Sequence, residues 1–390
     1  MPASIWTING SSQRHRIASY ARTIDESTRG CPRPTRSWIV VNVGEYGMVT
    51  IPLSAYRRSM TVLCIDFGGT AIKLGLLDGS QVRAGRAIST TGSLLDLTNV
   101  RGAVDDMLRD LSSVSAGEGA RIEAVGIAVP GIVDQQRGSL VAAHEKYVYA
   151  IDMDLREWAE EQFEAPAVIE NDARAALLGE VRYGQAVGER DAVLIILGSG
   201  IGTAALIDGR LFRGAHDHGG VLGGHVTIEL DGPKCRCGNV GCAEAVASTW
   251  ALERVVREHP LLSTSAWWRE RLDRGGVELK DLFDNAEDLV SRDVLDRFLR
   301  AWGAAIVGLC HSYDPNLVIV SGGVMRSADV ILPALMMYVD EHLWSSSHRP
   351  RFAASTVPEY SVLIGLSAAC NNNLEYRAIQ DKSTKEGSSS

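Results

Sequence analysis

No apolar run in this chain approaches the roughly 20 residues that a membrane-spanning helix needs. The first thirty residues also lack the continuous apolar segment of a secretory signal. A cytoplasmic protein with no membrane partner is therefore expected. Cysteine is scarce, seven in 390 residues, and in a reducing compartment those thiols are not expected to pair as disulfides. The C-x-x-C spacing of a redox pair is missing as well. Neither G-x-x-x-x-G-K-[ST] nor G-x-G-x-x-G occurs, which argues against P-loop and Rossmann folds.

Lysine is absent from residues 1–59, yet eight arginines stand there against three acids. That segment carries +5, so the overall charge of −9 leaves −14 on the remainder. An acidic body is a poor nucleic-acid surface, and any such binding would have to come from the N-terminal arm. Residues 1–36 are polar with no sustained apolar period and read as disordered or loosely attached. The segment 37–53, SWIVVNVGEYGMVTIPL, reads as a hairpin turning at GEYG. Organised sequence starts abruptly at Met60, so residues 1–59 are expected to be an upstream extension. The tail 379–390 reads as disordered.

From residue 61 strands and helices alternate. CIDFGGTAIKLGLLDG and IILGSGIGTAALIDG can be laid over each other nearly residue by residue, each a buried strand, a glycine-rich turn, a second strand and an Asp-Gly turn. A repeat of this kind predicts two related α/β halves. Amphipathic helices are expected within 94–114 and 294–316, and a buried strand within 121–131.

Three glycine turns follow buried strands. Asp66, Gly68, Gly69 and Thr70 form the first; Gly198, Ser199, Gly200, Gly202 and Thr203 the second; Gly322 and Gly323 the third. Glycine lets backbone N–H groups approach phosphate oxygens, Thr hydroxyls can donate, and Asp66 can hold Mg²⁺. A tight hairpin turn alone would also account for one Gly-Gly-Thr; two such turns can clamp one nucleotide. Glu170-Asn171-Asp172 lies between a strand and a helix. Asp172 is either a helix N-cap or the acceptor of a substrate hydroxyl's proton, with Asn171 on a neighbouring hydroxyl. Finally, Cys235, Cys237 and Cys242 share one glycine-bent loop, and His225 lies ten residues upstream. The four make a Cys₃His zinc site, structural because protein fills every position. His216 and His218 are the more distant alternatives for the fourth ligand.

This ordered set, D66FGGT, P130G, E170ND, L197GSGIGT, G224H, C235RCGNVGCAE and D314PNLVIVSGG, resembles the ROK family (repressor, open reading frame, kinase) over about residues 61–375. The resemblance implies an α/β fold of two actin-like ATPase (ribonuclease H-like) lobes with a central cleft, and glucokinase-like sugar phosphorylation with ATP, Mg²⁺ and a structural Zn²⁺. It implies a smaller lobe at 60–173, completed by a C-terminal helix at about 364–378, and a larger lobe at 174–363 carrying the zinc loop 225–244. Asp172 matches the catalytic base. Gly131, Asn171, Asp172, His225 and Glu244 match sugar-binding positions, His225 giving one ring nitrogen to zinc and one to sugar. A homodimer is usual in such proteins. Two residues depart from the pattern. Leu222 stands three residues before His225, where the family places a sugar-binding Glu, and Arg174 replaces a small or polar residue. The alternatives are a sugar-responsive repressor and a non-catalytic sugar-binding relative. The repressor would need a helix-turn-helix that residues 1–59 do not display.

Overall fold

Two stretches of sequence that can be superposed by eye fold in the same way. The structure is a computed structural model, which describes residues 38–42, 48–52, 60–114, 121–143, 145–151, 153–356 and 359–371. The first hairpin pairs Val62–Phe67 with Ala71–Asp78, closing at Phe67 opposite Ile72. The second pairs Ala192–Leu197 with Ile201–Ile207, closing at Leu197 opposite Ile201. Each is extended on one side by an antiparallel strand, Gln81–Ser89 or Arg210–Leu211. Each gains two parallel strands on the other side: Ala124–Val129 and Ala167–Asn171 in the first sheet, Leu317–Ser321 and Arg351–Ala354 in the second. The strand order of the two five-stranded sheets is therefore the same.

Parallel neighbours require crossover segments, and helices supply them. Leu155–Phe163 links the last two strands of the first sheet, and Ala328–His342 those of the second. Helices on the faces bury Val62–Phe67, Ala124–Val129 and Leu317–Ser321 along their whole length. That is why these strands read as continuous apolar runs rather than alternating ones. The first core joins Ile65 and Ile127 to Val100, Val104 and Met107 of the expected helix, Leu95–Val114. The second joins Ile195 and Val320 to Phe298, Trp302 and Ile306 of Leu289–Tyr313. Asp288 caps that long helix by accepting from Val290 N and Ser291 N, and the buried Trp302 Nε1 donates to Ala247 O at 2.6 Å.

The helix Asp172–Tyr183 connects the two halves. It leaves the end of the first sheet's last strand and packs Ala173, Ala176 and Leu177 beneath Leu194, Ala204 and Leu317 of the second. The helix at 361–371 crosses it closely and covers the first sheet. A Cβ on Gly365 would lie 1.6 Å from Ala175 O, and one on Gly126 would lie 2.8 Å from Leu366 Cβ. Both contacts are with fixed neighbours, so Gly365→Ala must push two helices apart. The expected loss is about 3 kcal/mol of unfolding free energy, read as a lower urea midpoint. An unchanged midpoint would contradict the close crossing.

Trp38–Asn42 and Met48–Pro52 form the expected hairpin, in the register Trp38 to Pro52. It belongs to Met1–Met60, a unit distinct from Thr61–Ser390. The expected GEYG turn, the disorder of 1–36 and 379–390, and the helix beyond 371 lie outside the described residues. Among the described residues, no helix is long and apolar enough to cross a membrane.

Candidate functional site

The strand Ala167–Asn171 delivers Glu170, Asn171 and Asp172 to the point where one sheet hands over to the next element. Asn171, not Asp172, is the helix cap: its Oδ1 accepts from Arg174 N at 3.1 Å. Its Nδ2 donates to Gly131 O and to Asp172 Oδ1, each at 3.0 Å. Asp172 Oδ1 also accepts from Ala173 N at 2.8 Å. Gly131 sits at φ +128°, where a Cβ would come within 2.1 Å of Ala142 O, so only glycine fits beside Asn171.

Three carboxylates converge here. Burial pushes Asp172 up to about 6, with Glu244 adding to the rise. Burial and then the charge of Asp172 push Asp66 up to about 7, partly offset by Lys73 across the ladder. Two residues beyond Asp66, the Gly68 carbonyl is fixed by Tyr147 Oη, which donates at 2.7 Å. Gly69 and Thr70 are exposed at that turn. Tyr147, itself buried, was not singled out from sequence, since its partner lies 79 residues away.

The second glycine turn is held from below. Glu244 Oε2 accepts from Ile201 N at 2.8 Å, and Glu244 Oε1 from Trp250 Nε1 at 3.3 Å. A Cβ on Gly200 would meet Glu244 Oε2 at 2.5 Å. Thr249 donates both its N–H and its hydroxyl to Gly198 O, at 3.0 and 2.8 Å. Ser199 remains exposed, and Gly202 packs towards Ala173. Thr203 differs from its expected nucleotide-facing role. It is buried, its hydroxyl donates to Gly220 O at 2.7 Å and accepts from Gly223 N at 2.9 Å, and so is used inside the fold. The third turn abuts the second: Gly322, at φ +105°, lies where a Cβ would stand 2.1 Å from Leu197 O, and Gly323 beside it is exposed.

His225, Cys235, Cys237 and Cys242 come together as expected, all four ligand atoms within 4.8 Å of one another. Cys237 Sγ lies 3.7 Å from Cys242 Sγ, and Cys235 Sγ 3.6 Å from His225 Nδ1. A tetrahedral zinc with bonds of about 2.3 Å to sulfur needs edges of about 3.8 Å, so the donor set fits that ion. Burial, with the neighbouring sulfurs, pushes the Cys235 thiol up to about 12. A cation is what would hold such a cluster as thiolates. Nδ1 is the ring nitrogen of His225 that faces the sulfurs. Leu222, at the start of the short turn that ends in His225, is 41% exposed. His216 and His218 are exposed and stand outside the cluster.

Comparison with known proteins places these features in a family. Residues 62–371 match the profile of the ROK family. The chain is 29% identical over 296 residues to a glucokinase of Thermotoga maritima, covering 74% of this chain and 89% of that one. It is 28% identical over 222 residues to a xylose repressor of Bacillus spizizenii, covering 56% and 53% respectively. The crystal structure of a ROK family glucokinase from Streptomyces griseus in complex with glucose and AMPPNP superposes with a TM-score of 0.68 at 28% identity, over 80% of this chain and 99% of that one.

Proposed function

The chain belongs to the ROK family, and on that premise we propose that it transfers the γ-phosphoryl group of ATP to a sugar hydroxyl. The glucokinase relative is matched over 89% of its length and the xylose repressor over 53%, which favours an enzyme over a sugar-responsive regulator. The observation that carries the reading is the Asp172 carboxylate. It is fixed through Oδ1 at the first turn of a helix, raised to about 6, and grouped with Asp66 and Glu244. A base tuned near the working pH is what proton removal from an alcohol demands.

In this reading Asp172 accepts the proton of the attacking hydroxyl. Asn171, Gly131, Glu244 and His225 through Nε2 bind the sugar's other oxygens. N–H groups of the turns at 66–70, 198–202 and 322–323 line the phosphates and adenine. Asp66, a buried carboxylate short of positive charge, fits a hard divalent cation, and Mg²⁺ bound there would neutralise phosphate charge. Zinc, held by His225, Cys235, Cys237 and Cys242, would be structural and fix the orientation of the His225 ring. The two sheets would mark two lobes, 60–173 with the C-terminal helix and 174–363, that close on sugar and ATP and exclude water. Leu222 offers an apolar face to the sugar, so recognition at that edge is expected to be loose.

An ATP-coupled screen over hexoses and N-acetyl amino sugars, with and without residues 1–59, tests the activity. Binding of upstream DNA in a gel shift, without sugar turnover, would replace it by the repressor reading. The pH profile tests the base. The proton acceptor must be ionised, so kcat/KM is expected to rise with pH from about 6 to about 7 and then level off, the two aspartates titrating as a pair. A profile flat down to about pH 5 would exclude Asp172 as the base.

A further inference from the structure

Next to Asp172 lies a set of charges that the reaction as described does not use. Glu170 and Arg174 are buried to 1% and 0% exposure. Glu170 accepts from Asn171 N at 2.9 Å and Gln135 Nε2 at 2.8 Å, and Arg213 grips it with both terminal nitrogens, NH1 at 3.2 Å. Arg174 NH1 stands 3.9 Å from the same carboxylate, and its NH2 donates to Asp217 O at 2.8 Å and Gly219 O at 2.7 Å. Arg213 NH1 reaches Asp217 Oδ1 at 3.5 Å. Two guanidiniums therefore tie the strand end carrying Asn171 and Asp172 to the segment 212–219. That segment runs straight on to Gly223, Gly224 and His225.

Helix formation does not require this arrangement, because Asn171 already caps the helix. Nor does simple packing explain it. Burying charge is unfavourable compared with apolar side chains of similar volume. Arg174 Nε and NH1 carry no hydrogen bond among the described residues, a cost of the kind found at functional sites. We propose that Glu170, Arg174 and Arg213 are positioning residues that set the distance between Asp172 and His225, and hence seat the sugar against its base. This rests on the sugar-kinase reading above. Misplacing a reacting group by about 1 Å can cost a hundredfold in rate.

Arg213 is the member to change, since its side chain is 28% exposed while the other two are enclosed. Arg213→Gln is expected to raise the sugar KM and lower kcat, each by about tenfold or more, and to leave the ATP KM within about twofold. Backbone hydrogen exchange across 212–225 should quicken, with zinc content unchanged. Arg213→Lys keeps the charge without the two-pronged grip and should recover part of the loss. Asp217→Asn, which leaves the buried carboxylate gripped, should show a smaller loss in the same direction. Sugar KM and kcat within about twofold of wild type in Arg213→Gln would overturn the proposal, as would sugar and ATP KM rising together with no recovery in the Lys variant. A wild-type protein that turns over no sugar would instead remove the kinase reading. The exchange rates of 212–225 in the variants then decide the clamp by themselves.

Discussion

Asp172→Asn is expected to lower kcat about a thousandfold, within the range that a positioned general base contributes. The substitution is nearly isosteric. The amide can still present an oxygen to Asn171 Nδ2 and Ala173 N, so helix and turn should survive. What it removes is the capacity to take a proton. Sugar affinity, measured calorimetrically without ATP, should therefore change little. The rise of kcat/KM with pH should lose the part that Asp172 supplies, leaving Asp66 to titrate alone in whatever activity is left. Sugar-dependent ATP turnover within about tenfold of wild type would sink the assignment and leave the rate to positioning and electrostatics alone.

Removing the metal-binding capacity of the loop is expected to have the second-largest effect. In Cys237→Ser, zinc content should fall to background, and kcat/KM for sugar should drop by about 10- to 100-fold. Between His225 and Cys242 the chain forms turns and isolated bridges rather than a helix or a strand ladder, with ties such as Cys235 N to Asn239 O at 2.8 Å and Gly241 N to Pro233 O at 2.8 Å. Its small cluster consists largely of the ligands themselves, Cys235, Cys237 and Cys242 with Ala245 and Trp250. Without the ion, burial would favour the protonated thiols of Cys235 and Cys242, and the loop would have no common centre. The His225 ring would also lose the bond that fixes its tautomer. Full activity in protein shown to be metal-free would contradict a zinc-built wall.

Much of this site could be read along the chain because its signals are local. The four side chains of the Cys/His cluster lie on one loop and its approach, so spacing alone suggested that they come together. The two hairpins announced themselves through paired glycine turns, and the structure gives them matching sheets. The sequence left Asp172 undecided between cap and base; the cap is Asn171, a distinction that depends on backbone angles rather than residue type. Thr203 was misjudged for a related reason. Its strand is buried on both faces, so alternation could not tell which way the hydroxyl points. The Glu170–Arg213 pair joins positions 43 residues apart, and the Tyr147–Gly68 bond 79. No local pattern encodes such contacts. Arg174 was visible only as a residue out of place, until the fold supplied its partners.

Glu244 carries a consequence of its own. Its carboxylate supports the second glycine turn through Ile201 N and is also a proposed sugar contact. A carboxylate has about four lone-pair sites, so both partners can be served at once. Two ligands that share a support are thermodynamically linked. If a bound sugar steadies Glu244 and tightens the turn around nucleotide, nucleotide must tighten sugar by the same factor. Synergy measured from either side should give one number, and Glu244→Gln should shrink it from both.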